Sequence, residues 1–208
     1  MPTPWPLTLL HEDATCLVVD KPADLLAVPG RVQPDSLATR VQARFADALV
    51  VHRLDQATSG LMLFARGATA QRALSIAFES RQVHKRYVAV VEGVPAADAG
   101  EIDAPLAADW PKRPRQVVDA AHGKPSLTRW RVLRRDEGCA LLELEPVTGR
   151  THQLRVHLAH IGYPIRGDRL YAPPPWRAER LLLHAGELAF DHPASGQRLH
   201  LRSPAPFA

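Results

Sequence analysis

The 208-residue chain has little of several features that would define a function class. Its two cysteines, Cys16 and Cys139, sit in apolar segments without metal-ligand spacing, so buried reduced thiols are expected rather than a disulfide or a metal site. No apolar run approaches the roughly 20 residues that span a bilayer, so no membrane partner is expected. Residues 1–6 have neither the basic start nor the apolar core of a signal peptide, which makes a cytoplasmic location the simplest expectation.

Lysine is also scarce, although the chain is basic. The formal net charge is +4 and the pI is about 9.4, yet lysine occurs only at positions 21, 85, 112 and 124, so arginine supplies most of the positive charge. Arginine makes bidentate contacts to phosphate and stacks on bases, which favours an RNA partner. A high-GC genome would enrich arginine as well, and the positions of the cations therefore carry more information than their number.

The hydrophobic pattern predicts many strands and few helices. Ser36 is placed to cap a helix in which Leu37, Val41 and Phe45 recur every four residues, and further helices are expected over 68–82 and 151–161. Strand-like runs cover residues 16–19, 61–65, 87–91, 127–133, 140–144, 181–190 and 198–201. This arrangement favours an α+β fold around a mostly antiparallel sheet. Without repeats, a linker or a composition break, we expect one domain over residues 1–208.

The segment 52–61, His-Arg-Leu-Asp-Gln-Ala-Thr-Ser-Gly-Leu, contains the strongest catalytic candidate. Asp55 stands among polar and basic residues, directly before the apolar run 61–65. An acid at such a junction of loop and strand can face a cleft. For an arbitrary aspartate, an ordinary surface ion pair would be the simpler interpretation.

This segment closely resembles the signature of the RluA-type pseudouridine synthases, in which the aspartate is catalytic. Three further segments resemble the other family motifs and occur in the family order: 21–30 (KPADLLAVPG), 85–89 (KRYVA) and 149–157 (GRTHQLRVH). The resemblance implies a mixed, mostly antiparallel central sheet with flanking helices and a long RNA-binding cleft. Because the chain starts so close to the first motif, the accessory RNA-binding domain of longer family members is not expected. It also implies isomerisation of uridine to pseudouridine in structured RNA, a reaction that requires neither a metal nor a redox cofactor.

The resemblance assigns roles to four residues. Asp55 would attack ribose C1′, add to the uracil ring or remove a ribose proton, and Arg155 would pair with it and keep it ionised. Tyr87 would lie against the target uracil and is a candidate base for the C5 proton, although its sequence context alone fits a core or edge aromatic. Arg53 would fill the place of the flipped base, or else make a plain phosphate contact.

The basic side chains in or beside these motifs are the candidate RNA contacts: Lys21, His52, Arg53, Lys85, Arg86, Arg113 and Arg150. Segments 109–114 and 167–171 resemble the short branch of the family, which modifies both a large-subunit ribosomal RNA hairpin and a tRNA anticodon stem-loop. A monomer is the simplest expectation. In the first motif Asp24 replaces the family's glycine; aspartate can adopt the same left-handed conformation but adds charge.

Other functions fit the residues less well. A non-catalytic RNA-binding or RNA-folding module would retain the scaffold but would not need Asp55, Tyr87 and Arg155 together. A glycoside hydrolase would need a second carboxylate in a matching motif. His152, His157 and His160 have no acidic third ligand in a recognised order, so a metal site there is disfavoured. Ser59 lacks the Gly-x-Ser-x-Gly elbow of a hydrolase and is expected to be a structural turn residue.

Overall fold

The computed structural model describes residues 7–175 and 177–208, so the segment 1–6, to which the signal-peptide argument applies, lies outside the described residues. The strands are β1 (Thr8–Glu12), β2 (Cys16–Lys21), β3 (Ala48–Val50), β4 (Ser59–Arg66), β5 (His84–Glu92), β6 (Ala99–Asp103), β7 (Leu106–Ala108), β8 (Gln116–Val118), β9 (Leu127–Asp136), β10 (Cys139–Pro146), β11 (Leu183–Asp191) and β12 (Arg198–Arg202). The helices are α1 (Leu37–Arg44), α2 (Gly67–Glu79) and α3 (Gln153–His160), and Trp110–Lys112 forms a short 3-10 turn.

The fold divides into two compact units. The first contains the chain up to His84 together with Gly186–Ser203, and the second contains Lys85–Ala185 together with Pro204–Ala208. The prediction of a single domain over residues 1–208 stays a prediction.

Strand β4 organises the first unit. It pairs antiparallel with both β2 and β3, β1 extends the pairing beyond β2, and β11 pairs with β12. Successive side chains of a strand point to opposite faces, and here both faces are covered. Met62 and Phe64 pack in one core cluster with residues of α1, whereas Leu61 and Leu63 pack in another with residues of α2. All residues of β4 except the last are therefore buried.

Helix α1 begins where the sequence predicts. Ser36 is the N-cap, and its hydroxyl accepts from the backbone N–H of Thr39 while the Thr39 hydroxyl accepts from the Ser36 N–H, which satisfies two donors that a helix start leaves without partners. Leu37 and Val41 are buried on the face that the four-residue spacing indicates. The capping box therefore fixes the residue at which α1 begins, and the buried side chains of α1 pack in the first core cluster.

The second unit is built on four antiparallel strands in the order β5-β10-β9-β6. The short strands β7 and β8 form a separate antiparallel pair. Helix α3 is buried over six consecutive residues, Gln153 to Leu158, so polar side chains as well as apolar ones enter the interior. Gly162 has φ of 85° and follows the helix end, in the left-handed conformation that glycine adopts without strain.

The predicted α+β class with mostly antiparallel strands and few helices is confirmed. The strand predicted at 16–19 extends to Lys21 and ends directly before Pro22, and helix α3 begins at Gln153, two residues later than expected. The strands β1, β3, β6, β7 and β8 were not predicted. Among the helices of the described residues, none is long and apolar enough to cross a membrane. The predicted RNA-binding cleft stays a prediction.

Candidate active site

The loop that contains Asp55 joins β3 to β4 within the first unit. Leu54 is buried and Asp55 is half-buried, whereas Arg53 is exposed, so the side chains alternate between the core and the surface. The backbone N–H of Thr58 donates to the carbonyl of Asp55 at 3.1 Å and closes a turn. Ser59, expected to be a turn residue, is instead the first residue of β4. The carboxylate is thus presented from a short loop between a buried leucine and a buried strand.

His52 holds the start of this loop. Its Nε2 accepts from the backbone N–H of Leu63 at 2.9 Å, and its ring stacks on Phe78 with a centroid separation of 4.5 Å and an interplanar angle of 26°. Because Nε2 accepts, the ring proton of neutral His52 is on Nδ1. The contact of His52 with RNA stays a prediction, and the structure adds an anchoring role for the ring.

Lys21 supports the same loop from the interior. It is fully buried, and its Nζ donates to the carbonyls of Pro22 at 2.9 Å, Leu25 at 2.7 Å and Gln56 at 2.9 Å. A buried ammonium needs such acceptors, because burial removes its hydration. The bond to Gln56 fixes the residue next to Asp55. This geometry gives Lys21 an internal role and does not support the predicted contact with RNA.

Asp24 connects the first motif to the Asp55 loop. Its φ of 65° places it in the left-handed region, as the replaced family glycine led us to expect. Its carbonyl accepts from the side-chain amide of Gln56 at 3.1 Å. The turn after β2 and the Asp55 loop are therefore joined through both Lys21 and Gln56.

In the second unit, Arg155 forms a buried ion pair that sequence reasoning missed. Its Nε and Nη2 donate to the two carboxylate oxygens of Asp168, each at 2.8 Å, and the side chains are only 6% and 0% exposed. Such a two-bond fork fixes the plane of the guanidinium. At this exposure, Arg155 is not a solvated arginine on a helix surface. Its predicted pairing with Asp55 stays a prediction.

The position of Asp168 depends on the glycine before it. Gly167 has φ of 75°, and a Cβ at this position would lie 1.9 Å from the carbonyl oxygen of Arg180. Only glycine fits so close to another backbone in this conformation. Asp168 Oδ1 also accepts from the backbone N–H groups of Leu170 and Tyr171 at 2.9 and 3.2 Å. These backbone contacts orient the Asp168 carboxylate independently of its ion pair with Arg155.

Tyr171 links three segments around Arg155. Its hydroxyl accepts from the backbone N–H of Gln116 at 2.8 Å and shares a hydrogen bond of 2.7 Å with His152 Nδ1. The guanidinium of Arg155 lies over the tyrosine ring at 5.2 Å. His152 itself has φ of 55°, a conformation that costs free energy in a residue other than glycine and persists only where its surroundings impose it. The start of α3 is therefore held by Tyr171.

A buried chain of hydrogen bonds crosses the same helix. Gln153 donates from its amide to the hydroxyl of Thr128 at 3.0 Å, which lies 2.9 Å from His157 Nδ1, and His157 Nε2 lies 2.9 Å from the carbonyl of Ala104. The carbonyl requires a donor, so the proton is on Nε2 and Nδ1 accepts from the hydroxyl. Burial lowers the pKa of His157, which keeps the ring neutral. Both ring nitrogens of His157 are therefore engaged in hydrogen bonds inside this unit.

The remaining predicted RNA contacts lie at or near the surface of the second unit. Tyr87 is half-buried on β5, where it pairs with Leu144 of β10, and burial lowers the pKa of Lys85 two residues earlier. Three arginines among the predicted RNA contacts are exposed: Arg86, Arg113 and Arg150. The guanidinium of Arg113 lies 3.8 Å from the ring centroid of Trp110, which is 66% exposed. Their contact with RNA stays a prediction.

The structure therefore brings the predicted residues together in two groups. In the first unit, Lys21 and His52 hold the loop of Asp55; in the second, Arg155 is held by residues that were not predicted as part of the site, Asp168 and Tyr171. The signal for the latter was present in the motif Gly167-Asp168-Arg169-Leu170-Tyr171. That motif had been used only to recognise the family branch.

Comparisons with known proteins agree with these motifs. The family model described as RNA pseudouridylate synthase matches residues 15–160. The dual-specificity RNA pseudouridine synthase RluA of Escherichia coli K12 is 46% identical over 98% of this chain and 95% of its own length. Its counterpart in Vibrio cholerae is 47% identical over 92% of this chain and 80% of its own length.

Two solved human structures are similar as well. Human RNA pseudouridylate synthase domain containing 1 superimposes with a TM-score of 0.83 at 28% identity, covering 98% of this chain and 85% of that one. Human RNA pseudouridylate synthase domain containing 4 gives a TM-score of 0.80 at 26% identity, covering 96% and 88%.

Proposed function

The chain belongs to the RNA pseudouridylate synthase family and is an RNA pseudouridine synthase, and from this premise we propose that it modifies two classes of structured RNA. The proposed substrates are a large-subunit ribosomal RNA hairpin and a tRNA anticodon stem-loop. The observation that carries the proposal is the 46% identity to dual-specificity relatives over 98% of this chain. The similarity includes the segments 109–114 and 167–171 that resemble the short family branch.

The isomerisation conserves all atoms of the uridine. The bond between ribose C1′ and base N1 breaks, the uracil rotates, and a bond forms between C1′ and C5; the proton on C5 leaves and N1 gains a proton. One ionised carboxylate suffices as nucleophile or base for this sequence. We propose Asp55 for this role, because it stands at the aspartate of the family motif and is half-buried on an anchored loop.

Arg155 is proposed as the partner that keeps Asp55 ionised when RNA excludes water. Support comes from its motif position and from the fork with Asp168, which engages Nε and Nη2 and fixes the orientation of the whole guanidinium. A preoriented cation needs no reorganisation when charge develops during the reaction. Asp168 and Tyr171 are then positioning residues that act through Arg155.

Tyr87 is proposed to lie against the target uracil and to accept the C5 proton. Its half-buried position on a paired strand supports a ring held in place but still partly exposed. Tyr87→Phe removes only the hydroxyl. We expect it to form a rearranged adduct that retains the C5 proton; this adduct has the mass of uridine, so it is detected by its altered chromatographic retention after the RNA is digested to nucleosides. Unchanged turnover would refute the base role.

Arg53 is proposed to take the place of the flipped base in the RNA. It is exposed and stands two residues before Asp55, and a planar guanidinium can stack where a base has left. Removal of a flipped base from its stack costs about a few kcal/mol, which a replacing group offsets. Arg53→Ala is expected to lower kcat more than it weakens RNA binding. Equal losses would favour a plain phosphate contact.

The first experiment measures tritium release from C5-labelled uridine. The substrates are transcripts of a tRNA anticodon stem-loop and a ribosomal RNA hairpin, each tested with the intact protein and with Asp55→Asn. Asp98→Asn is a suitable control, because the side chain of Asp98 is 90% exposed. We expect release from both RNAs, lost in Asp55→Asn and retained in Asp98→Asn. Release from one RNA alone would refute dual specificity, and release by Asp55→Asn would refute the catalytic assignment.

The organisation of the active protein is a further part of the proposal. We propose that residues 1–208 act as a single catalytic domain, as a monomer and in the cytoplasm. The coverage of 95% of the length of the Escherichia coli relative supports one shared domain. Light scattering with and without the RNA substrate measures the monomeric mass, and a dimer would contradict this part.

A further inference from the structure

Four side chains of the first unit converge away from the Asp55 loop. They are His11 near the end of β1, Asp13 in the following turn, Cys16 at the start of β2 and His192 just after β11. One ligand atom from each lies within 4.8 Å of all the others. Imidazole, carboxylate and thiolate together form a donor set that zinc accepts.

Hydrogen bonds to the Asp13 carboxylate connect most members of this cluster. Asp13 Oδ2 lies 2.6 Å from His11 Nε2 and 3.0 Å from His192 Nε2, and Oδ1 accepts from the backbone N–H groups of Thr15 and Cys16 at 2.6 and 2.8 Å. Burial would raise the pKa of Asp13, but the bonds from Cys16 and Thr15, together with His11, lower it to about 2. A negative charge is therefore present at neutral pH.

The thiol of Cys16 takes no part in these hydrogen bonds. It is fully buried beside this carboxylate, and burial together with the charge of Asp13 raises the pKa of its thiol to about 12. A bound metal ion displaces the proton of a coordinating thiol, so Cys16 would coordinate as the thiolate. Asp13 remains 33% exposed and gives an ion access from solvent.

The two histidines have different environments. His192 Nδ1 accepts from the backbone N–H of Ser195 at 3.1 Å and that of Ala194 at 3.4 Å, so its proton is on Nε2 and donates to Asp13. His192 thus orients the carboxylate and is not itself a ligand. His11 is 24% exposed, so its ring proton can move from Nε2 to Nδ1 and leave Nε2 able to coordinate.

We propose that His11, Asp13 and Cys16 bind one Zn²⁺ ion, with His192 as the outer partner of the carboxylate. Ligand distances of about 2.0–2.3 Å around zinc require small movements of these side chains, since the close His11–Asp13 contact must open slightly. The fourth position is open to water through the exposed side of Asp13. On binding, the Cys16 thiol releases its proton to solvent, and its Sγ forms the bond to the metal.

Such an ion has a structural consequence. It would join β1 to β2 through their connecting turn, and His192 would extend the connection to the turn between β11 and β12. Binding to the folded form alone raises the thermal midpoint with metal concentration. This role is separate from uridine isomerisation, so the test does not depend on the activity of the enzyme.

The test uses the intact protein without an affinity tag, stripped with a chelator and titrated with Co²⁺ and Zn²⁺. We expect one Co²⁺ per chain with a thiolate charge-transfer absorption band that Zn²⁺ abolishes by displacement. His192→Gln should weaken binding by roughly 10–100-fold and keep the band, as loss of an outer partner does. Cys16→Ser should lose the band and most of the affinity.

Two further variants keep the result interpretable. His11→Gln changes a partly exposed side chain and should lower affinity even if Cys16→Ser folds poorly. Cys139→Ser is the matched control, because Cys139 is the other buried cysteine and lies in the second unit. Its binding and its metal-dependent rise in thermal midpoint should equal those of the intact protein. Absence of saturable binding, or equal affinity in His11→Gln and the intact protein, would show a hydrogen-bonded network alone.

Discussion

Replacement of Asp168 by asparagine tests how the second unit holds Arg155. The side chain keeps its size, but one of its two oxygens becomes an NH₂ group that faces the N–H donors of the guanidinium. One arm of the fork is lost, and the charge of Arg155 is left without its buried counter-ion. With exposures of 6% and 0% for the two side chains, water cannot replace the lost partner.

The expected loss follows from this burial. Removal of one partner of a buried ion pair typically destabilises by about 3–5 kcal/mol, because the remaining charge stays desolvated. For a chain of this size, 1 kcal/mol shifts the thermal midpoint by about 2–4 °C, so Asp168→Asn should lower it by about 6–20 °C. The free energy of unfolding is measured by urea titration and the midpoint by circular dichroism.

An exposed pair provides the control. Arg134 and Asp136 have the same chemistry at 2.9 Å, with side chains 53% and 43% exposed, so Asp136→Asn should leave the free energy of unfolding nearly unchanged. A loss below about 1 kcal/mol in Asp168→Asn, which is the range of exposed pairs, would refute the buried fork. At temperatures where Asp168→Asn is folded, tritium release should still be reduced, since Arg155 has lost its fixed orientation.

Three further outcomes follow from buried polar groups. Lys21→Met leaves three backbone carbonyls without their donor, so urea titration should show a loss of about 1–3 kcal/mol or more, and an unchanged midpoint would contradict the anchoring role. Tyr171→Phe removes the acceptor of the Gln116 N–H and the hydrogen-bond partner of His152, for which we expect a loss of about 1–3 kcal/mol in the free energy of unfolding in the same assay. Because burial lowers the pKa of His157 below 6.5, the unfolded chain binds more protons than the folded one, and the free energy of unfolding should fall as the pH drops below 6.5. His157→Gln should remove this part of the pH dependence. An unchanged pH dependence in the variant would contradict the contribution of His157.

The sequence indicated the elements whose signals are local. Ser36 and the spacing of Leu37 and Val41 predicted α1, and the capping box confirms why that helix begins there. The missed strands β1, β3, β6, β7 and β8 have three to five residues each. Their pairing depends on partners distant in the chain, which a local pattern does not show.

In the candidate site, too, the sequence showed the local motifs but not the contacts between distant residues. Asp55 and Arg155 stand in motifs that could be recognised, but the buried ammonium of Lys21 could not be foreseen, since its acceptors are backbone carbonyls. Asp168 lies 13 residues from Arg155, and their pairing depends on the close approach of Gly167 to Arg180. These are relations between distant backbones, which local pattern does not encode.

The burial of β4 on both faces also sets a gradient of backbone motion beside Asp55. Amide hydrogens in the middle of β4 can exchange with solvent deuterium only when both core clusters open, which is close to global unfolding. The preceding residues 52–58 have loop conformation and exchange through local opening. Residues 52–58 are therefore expected to exchange faster than the strand that follows them, whose middle opens only with the core of the unit.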